Sequence, residues 1–292
     1  MTTPGHAVNG FDSPVNEIDK LPTEIYRNTL REIVKSNCDV AIEECELKIE
    51  AGSAKGDNYI GVIYRVTVKT PTGKTLNVIV KLPPQNLARR EEFFAGPCFL
   101  REAEFYDVIY PMFVDFQQEK GIDVESDGFH EVPGSFKMLT EDLNEGLFLE
   151  DLKASGFEMF DRMKEVTKEH VFRVMEALGK YHALSFAMKD QKPELIKPYT
   201  SMVDVFFQRS EESMEQIKMW FEHLKKQAKV TLESMDNEDL KKRARKELGK
   251  DFFDQIGGCI KGADAEPHAV ICHGDCWNNN IMYRYEVSGL ER

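Results

Sequence analysis

Apolar residues recur at helical spacing early in the chain and then alternate with polar residues. The spacing over 22–35 predicts an amphipathic helix. Three segments with a period of two follow it, at 45–49, 62–69 and 76–81, and this alternation is typical of half-buried strands. The turn-forming residues 71–73 join the last two segments, so the pattern predicts an antiparallel meander.

Beyond residue 98 the pattern becomes mainly helical. Residues 99–111 read as a helix, 134–139 as a short apolar strand, and 171–185 as one continuous face of a long helix. Aromatic residues at helical spacing over 201–260 indicate further core helices. The elements together predict an α+β fold, with an N-terminal antiparallel sheet and a helical C-terminal part.

A polar loop near the C-terminal end carries the strongest chemical signal. Apolar residues flank it on both sides, and it contains His273, Asp275 and Asn280 in the spacing His-x-Asp-x4-Asn. This spacing matches the catalytic loop of protein-kinase-like enzymes. In such a loop the aspartate accepts or orients the proton of the attacking hydroxyl, and the asparagine holds Mg²⁺. We therefore assign Asp275 as catalytic, Asn280 as the metal ligand and His273 as a brace for the loop.

The predicted sheet carries candidate phosphate contacts. Gly52, Ser53 and Gly56 lie in the loop 52–59, where glycines let backbone N–H groups approach phosphate oxygens. Taken alone, a Gly-x3-Gly loop is more typical of an ordinary hairpin than of a phosphate site. Its place ahead of the strand that ends in Lys81 favours the nucleotide interpretation, since the kinase-like plan puts a lysine there on the α- and β-phosphates.

The wording of the polar loop, His-Gly-Asp-Cys-Trp-Asn-Asn-Asn-Ile-Met-Tyr, resembles the ecdysteroid-kinase-like family. The resemblance implies a two-lobed protein-kinase-like fold. It also implies that ATP and Mg²⁺ serve as cofactors and that the substrate is a small molecule with a hydroxyl group, such as an ecdysteroid or a similar lipophilic alcohol.

Two further segments resemble the family. Phe99, Glu102 and Tyr106 match a Phe-x2-Glu-x3-Tyr pattern, which implies that Glu102 pairs with Lys81 and leaves Glu104 as the alternative. Residues 140–144 are similar to the family's Leu-Glu-Asp-Leu linker between lobes. The backbone around Glu141 and Leu143 would then bind the adenine ring.

The resemblance also implies an order of domains. A loose tail occupies 1–20, a nucleotide-binding lobe 21–139, the linker 140–144, and a catalytic lobe 145–292. Family members continue with a second metal-binding Asp-Phe-Gln motif, which we expect to be missing here through truncation. The copy at Asp115 precedes the loop and lies in a predicted helix. The alternative to an active kinase is therefore a catalytically silent fragment that still binds a nucleotide or another ligand.

Composition narrows the class of protein. The net charge of −13 argues against a nucleic-acid surface, and no apolar run is long enough for a membrane span. The N-terminus lacks a secretory signal, and the six cysteines are irregularly spaced, so we expect reduced thiols in the cytoplasm. Residues 268–276 hold two His and two Cys that leave a zinc site open as a weaker alternative. No obligate protein partner is indicated.

Overall fold

The computed structural model describes residues 15–52, 60–200 and 202–285. The chain divides into two compact units. The first, called the sheet unit, spans Met1–Pro111, Val132–Lys164 and Cys276–Arg292; the second, called the helical unit, spans Met112–Glu131 and Glu165–Asp275.

Five antiparallel strands form the main sheet of the sheet unit, in the order β1-β2-β3-β5-β4. Strands β1 to β3 pair in the expected meander, with Ile49 opposite Val66 and Val66 opposite Val78. A second sheet consists of two short strands, β6 and β7. The strands are β1 Glu46–Ala51, β2 Val62–Lys69, β3 Thr75–Leu82, β4 Ser135–Leu139, β5 Gly146–Glu150, β6 Glu158–Met159 and β7 Met282–Tyr283.

Helices cover both faces of the main sheet. The buried face of α1, which includes Leu30 and Val34, joins a core with Val66 and Phe148. On the other face, Phe99 of α3 packs in a cluster with Leu147. Because β5 is buried on both faces, its residues show no alternation in the sequence. The helices of this part are α1 Glu24–Cys38, α2 Leu87–Glu92 and α3 Ala95–Glu104.

The helix predicted over 99–111 is longer than expected and changes its winding. After α3, residues Phe105–Ile109 form one π-helical turn, and α4 follows at Tyr110–Glu119. The helical unit then contains α5 Lys168–Gln191, α6 Pro193–Ile196, α7 Glu211–Glu233, α8 Glu238–Leu248 and α9 Phe252–Cys259. In the described part of the chain, no helix is long and apolar enough to cross a membrane.

An aromatic cluster organises the core of the helical unit. The ring of Tyr181 on α5 contacts Phe113 at 5.7 Å and Phe129 at 5.1 Å between centroids. The expectation of one buried face over 171–185 is correct only for its C-terminal half. Met175 is 61% exposed, whereas Tyr181 is buried.

The expected domain limits need one correction. Residues 140–144 connect β4 to β5, and β5 pairs with β3 and β4, so this segment is a hairpin turn inside one sheet. The sheet unit also takes in Val132–Lys164 and Cys276–Arg292. The expectation that the second lobe begins at residue 145 therefore differs from the structure, because β5 completes the first sheet.

Candidate functional site

An ion pair joins the sheet to α3. Lys81 Nζ lies 2.9 Å and 2.6 Å from the two carboxylate oxygens of Glu102. The two side chains are 26% and 32% exposed. An ammonium group has three N–H donors, and Glu102 takes two of them, so one remains for a phosphate oxygen.

In the structure, Lys81 pairs with Glu102 and not with Glu104. Glu102, one turn after Phe99, faces Lys81, whereas Glu104 pairs with Arg101 at 2.9 Å. The Lys81 ammonium also lies 5.7 Å from the centre of the Phe99 ring. Burial, followed by the nearby Glu102 charge, raises the pKa of Tyr106, so this residue stays a neutral phenol. The pattern Phe-x2-Glu-x3-Tyr thus brings Phe99 and Glu102 to Lys81, and Tyr106 packs against the cluster that contains Phe99.

Gly52, at the start of the predicted phosphate loop, takes part in the pairing of two strands. The Gly52 N–H donates to the Ile63 carbonyl at 2.7 Å. A Cβ at position 52 would stand 2.3 Å from the Ile63 side chain. The Gly52 amide is therefore engaged in strand pairing, while Ser53 and Gly56 lie outside the described residues.

The predicted adenine-binding residues lie in a turn. Glu141 and Leu143 are exposed, and Leu143 has a positive φ of 63°. The Glu141 carbonyl accepts a hydrogen bond from the Asn144 N–H at 2.9 Å, which closes the turn. Since both flanking strands belong to one sheet, 140–144 is a turn within that sheet and not a linker. The prediction that Glu141 and Leu143 belong to a linker is therefore wrong.

The literal sequence Leu-Glu-Asp-Leu occurs at 149–152, where the chain leaves the sheet, whereas 140–143 reads Thr-Glu-Asp-Leu. Leu149–Leu152 spans the end of β5 and the start of a 3₁₀ turn at Leu152–Ser155. Asp151 is almost fully buried, and its Oδ2 accepts from Arg65 Nε at 2.6 Å. Its Oδ1 accepts the N–H of Lys153 at 3.1 Å, which caps the turn. The literal match to the motif at 149–152 was the signal in the sequence that could have identified this segment.

The part of the polar loop that carries His273 and Asp275 belongs to the helical unit and is exposed. His273 Nδ1 accepts the backbone N–H of Asp275 at 3.2 Å, across Gly274 with its φ of +79°. This geometry gives His273 the expected bracing role, because its ring fixes the backbone of the next-but-one residue. The Asp275 side chain itself is exposed.

Asn280 belongs to the sheet unit and ends a short helical turn. Residues Asn278–Asn280 form a 3₁₀ turn, and the Asn280 N–H donates to the Trp277 carbonyl at 2.9 Å. Strand β7 begins two residues later and pairs with β6. The exposed Asn280 is thus held by a turn on one side and a strand on the other.

The remaining candidates have simpler explanations. Asp115 lies on α4, in agreement with the predicted helix, and is exposed. Within 15–52, 60–200 and 202–285, no three His, Cys, Asp or Glu side chains are grouped closely enough to hold a metal ion. This finding gives the zinc alternative at 268–276 no support.

Comparison with known protein families identifies the family of the chain. No curated protein and no solved structure matches the chain significantly. A family model described as the ecdysteroid kinase-like family matches residues 55–291, which is most of the chain. The family is kinase-like, and the five-stranded antiparallel sheet followed by helices has the corresponding α+β architecture. The chain therefore belongs to the ecdysteroid kinase-like family.

Proposed function

We propose that the protein transfers the γ-phosphate of ATP to a hydroxyl group of a small lipophilic molecule, with Mg²⁺ as the metal. The observation that carries the proposal is the ion pair of Lys81 and Glu102, since a lysine–glutamate pair of this type orients nucleotide phosphates in kinases. The acceptor class, an ecdysteroid or a related alcohol, follows from the family alone.

Each residue has a defined task in this proposal. Glu102 holds the Lys81 ammonium, whose third donor binds an oxygen of the α- or β-phosphate. Asp275 accepts the proton of the attacking hydroxyl, and His273 keeps the Asp275 backbone in place. The Asn280 amide oxygen ligates Mg²⁺, which supplies positive charge to the phosphates when it is bound. The segment 149–152 replaces 140–144 as the proposed linker at the adenine ring.

A transfer assay tests the proposal. The protein is incubated with ATP and Mg²⁺ and with single acceptors: an ecdysteroid, a sterol, choline and an aminoglycoside. Mass spectrometry then searches for an acceptor that has gained one phosphate. We expect a phosphorylated lipophilic alcohol, no product with EDTA, and a rate at least about a hundredfold lower for Asp275→Asn.

Two other results would redirect the proposal. Magnesium-dependent ATP binding without transfer to any acceptor would support the silent binding fragment. Transfer to choline alone would keep the kinase but overturn the lipophilic acceptor. A protein that binds no ATP in calorimetry, with or without Mg²⁺, would refute the kinase and the nucleotide-binding fragment alike.

A further inference from the structure

The segment that leads into the catalytic loop is fastened along α5. As the residue number rises on α5, the number of its partner falls, so the segment runs antiparallel to the helix. The contacts are Ser185 with Ile271, Phe186 with His268, and Lys189 with Glu266, Pro267 and Ala269.

Lys189 makes the densest set of these contacts. Its Nζ lies 2.5 Å from a carboxylate oxygen of Glu266 and 3.0 Å from each of the carbonyl oxygens of Pro267 and Ala269. The three acceptors equal the three donors of an ammonium group. The side chain is 21% exposed, so water screens these charge-assisted bonds only in part. One side chain thus holds three residues within the four-residue stretch 266–269.

Ser185 continues this attachment one helical turn earlier. Its buried hydroxyl oxygen accepts the N–H of Ile271 at 3.2 Å. Residues four apart lie on the same side of a helix, so Ser185 and Lys189 bind the segment from one face of α5. We call these two residues and their hydrogen bonds to 266–271 the α5 clamp.

We infer that Lys189, together with Ser185, is a positioning residue for the catalytic loop: the α5 clamp fixes 266–271 and thereby sets where Asp275 stands. The inference rests on the proposed function in its claim that Asp275 is the base. Asp275 follows Ile271 by only four residues, and its own side chain is exposed. The backbone at 266–271 is therefore one determinant of its position. A shift of about 1 Å in a reacting group lowers a rate by up to about a hundredfold.

The same helix offers a matched control residue. Lys180 Nζ donates to the Gly128 carbonyl at 3.0 Å and lies 3.4 Å from Glu131, and its side chain is 32% exposed. Its exposure and its mixture of carbonyl and carboxylate partners resemble those of Lys189. Its contacts, however, hold 128–131 rather than 266–271. Replacing Lys180 removes a comparable attachment without touching the α5 clamp.

Hydrogen exchange followed by mass spectrometry tests the clamp directly. We compare the wild type with Lys189→Met, Lys189→Arg and Lys180→Met. Lys189→Met should speed exchange in peptides that cover 266–275 by about tenfold and leave peptides of β3 unchanged, because the opening is local. Lys189→Arg should restore most of the protection. Lys180→Met should act on 128–131 only. Unchanged exchange at 266–275 in Lys189→Met, or the same change there in Lys180→Met, overturns the clamp.

Kinetics test the link to catalysis separately. In the transfer assay, Lys189→Met should lower kcat by about ten- to a hundredfold and leave the KM for ATP unchanged, and Lys189→Arg should recover most of kcat. A merely structural role would lower the melting temperature and change both constants alike. If the wild type transfers no phosphate, the proposed function fails, while the exchange experiment still decides whether the α5 clamp exists. If exchange responds and kcat does not, the positioning role is refuted.

Discussion

Removing one partner of the buried ion pair between Arg90 and Glu145 should destabilise the sheet unit strongly. Arg90 Nη2 lies 2.6 Å from a carboxylate oxygen of Glu145, and the side chains are only 8% and 2% exposed. The backbone carbonyl of Glu145 also accepts the hydroxyl of buried Tyr26 at 3.3 Å. The pair therefore ties α2 to the start of β5 and to α1 in the interior of the unit.

The expected magnitude follows from burial. Arg90→Met leaves the Glu145 carboxylate buried without its cation, and breaking a buried pair in this way costs about 3–5 kcal/mol. Replacing both residues, as in Arg90→Met with Glu145→Leu, should recover much of the loss, since no buried charge remains. The matched control is Lys35 with Asp39, which has a similar distance of 2.8 Å but side chains that are 64% and 94% exposed. Lys35→Met should change the free energy of unfolding by at most about 0.5 kcal/mol.

Urea unfolding measures this difference in the sheet unit. The chain contains two tryptophans, and Trp277 belongs to the sheet unit whereas Trp220 belongs to the helical unit. In a Trp220→Phe background, the fluorescence of Trp277 reports the unit that holds the ion pair. If Arg90→Met costs less than about 1 kcal/mol, or no more than Lys35→Met, the argument from burial is refuted.

Three further predictions concern single substitutions. Glu102→Gln should lower the rate of phosphate transfer at least about tenfold, whereas Glu104→Gln should change it by no more than about twofold, because Glu102 and not Glu104 pairs with Lys81. Equal rates for the two variants in the transfer assay would contradict this. Gly61→Ala should lower the free energy of unfolding in urea by about 1–3 kcal/mol, since a Cβ at this position would stand 2.5 Å from the carbonyl oxygen of Leu82. An unchanged midpoint would show that the backbone can move apart to accommodate the methyl group. Gly179→Ala on α5 should raise stability by about 0.5–1 kcal/mol, because no atom other than the neighbouring backbone of α5 lies within 4 Å of the new Cβ. A lower melting temperature would disprove the reasoning.

The sequence predicted those elements in which one side faces the core. Strands β1 to β3 alternate because their other side is exposed or half-buried, and α1 shows the spacing of a helix with one buried face. Strand β5 lacks any such signal, since Leu147, Phe148 and Leu149 are all buried, on both sides of the sheet. Because β5 was not predicted, the segment 140–144 before it was interpreted as a linker rather than as the turn between two strands of one sheet.

The candidate site was predictable where the spacing of a motif indicates which side chains come together. The pairing of Lys81 with Glu102 followed from the register of a short pattern, and the structure forms that ion pair. The roles of Asp275 and Asn280 in transfer stay predictions. The contacts of Lys189 could not be predicted, because a lysine on a helix gives no sign of which distant carbonyl groups it meets. Only the fold brings residues 189 and 266–269 together.

The pairing of β6 with β7 has a consequence for the order of events during synthesis. Met159 pairs with Met282, so this small sheet closes a loop of about 120 residues. Contacts between residues so far apart in sequence form slowly, and the ribosome releases the N-terminal partner first. Strand β6 must therefore wait, without its partner, until the whole helical unit has emerged. The turn at Asn280 can take its final place only at that late moment, so the proposed metal ligand is among the last residues of the proposed site to be positioned.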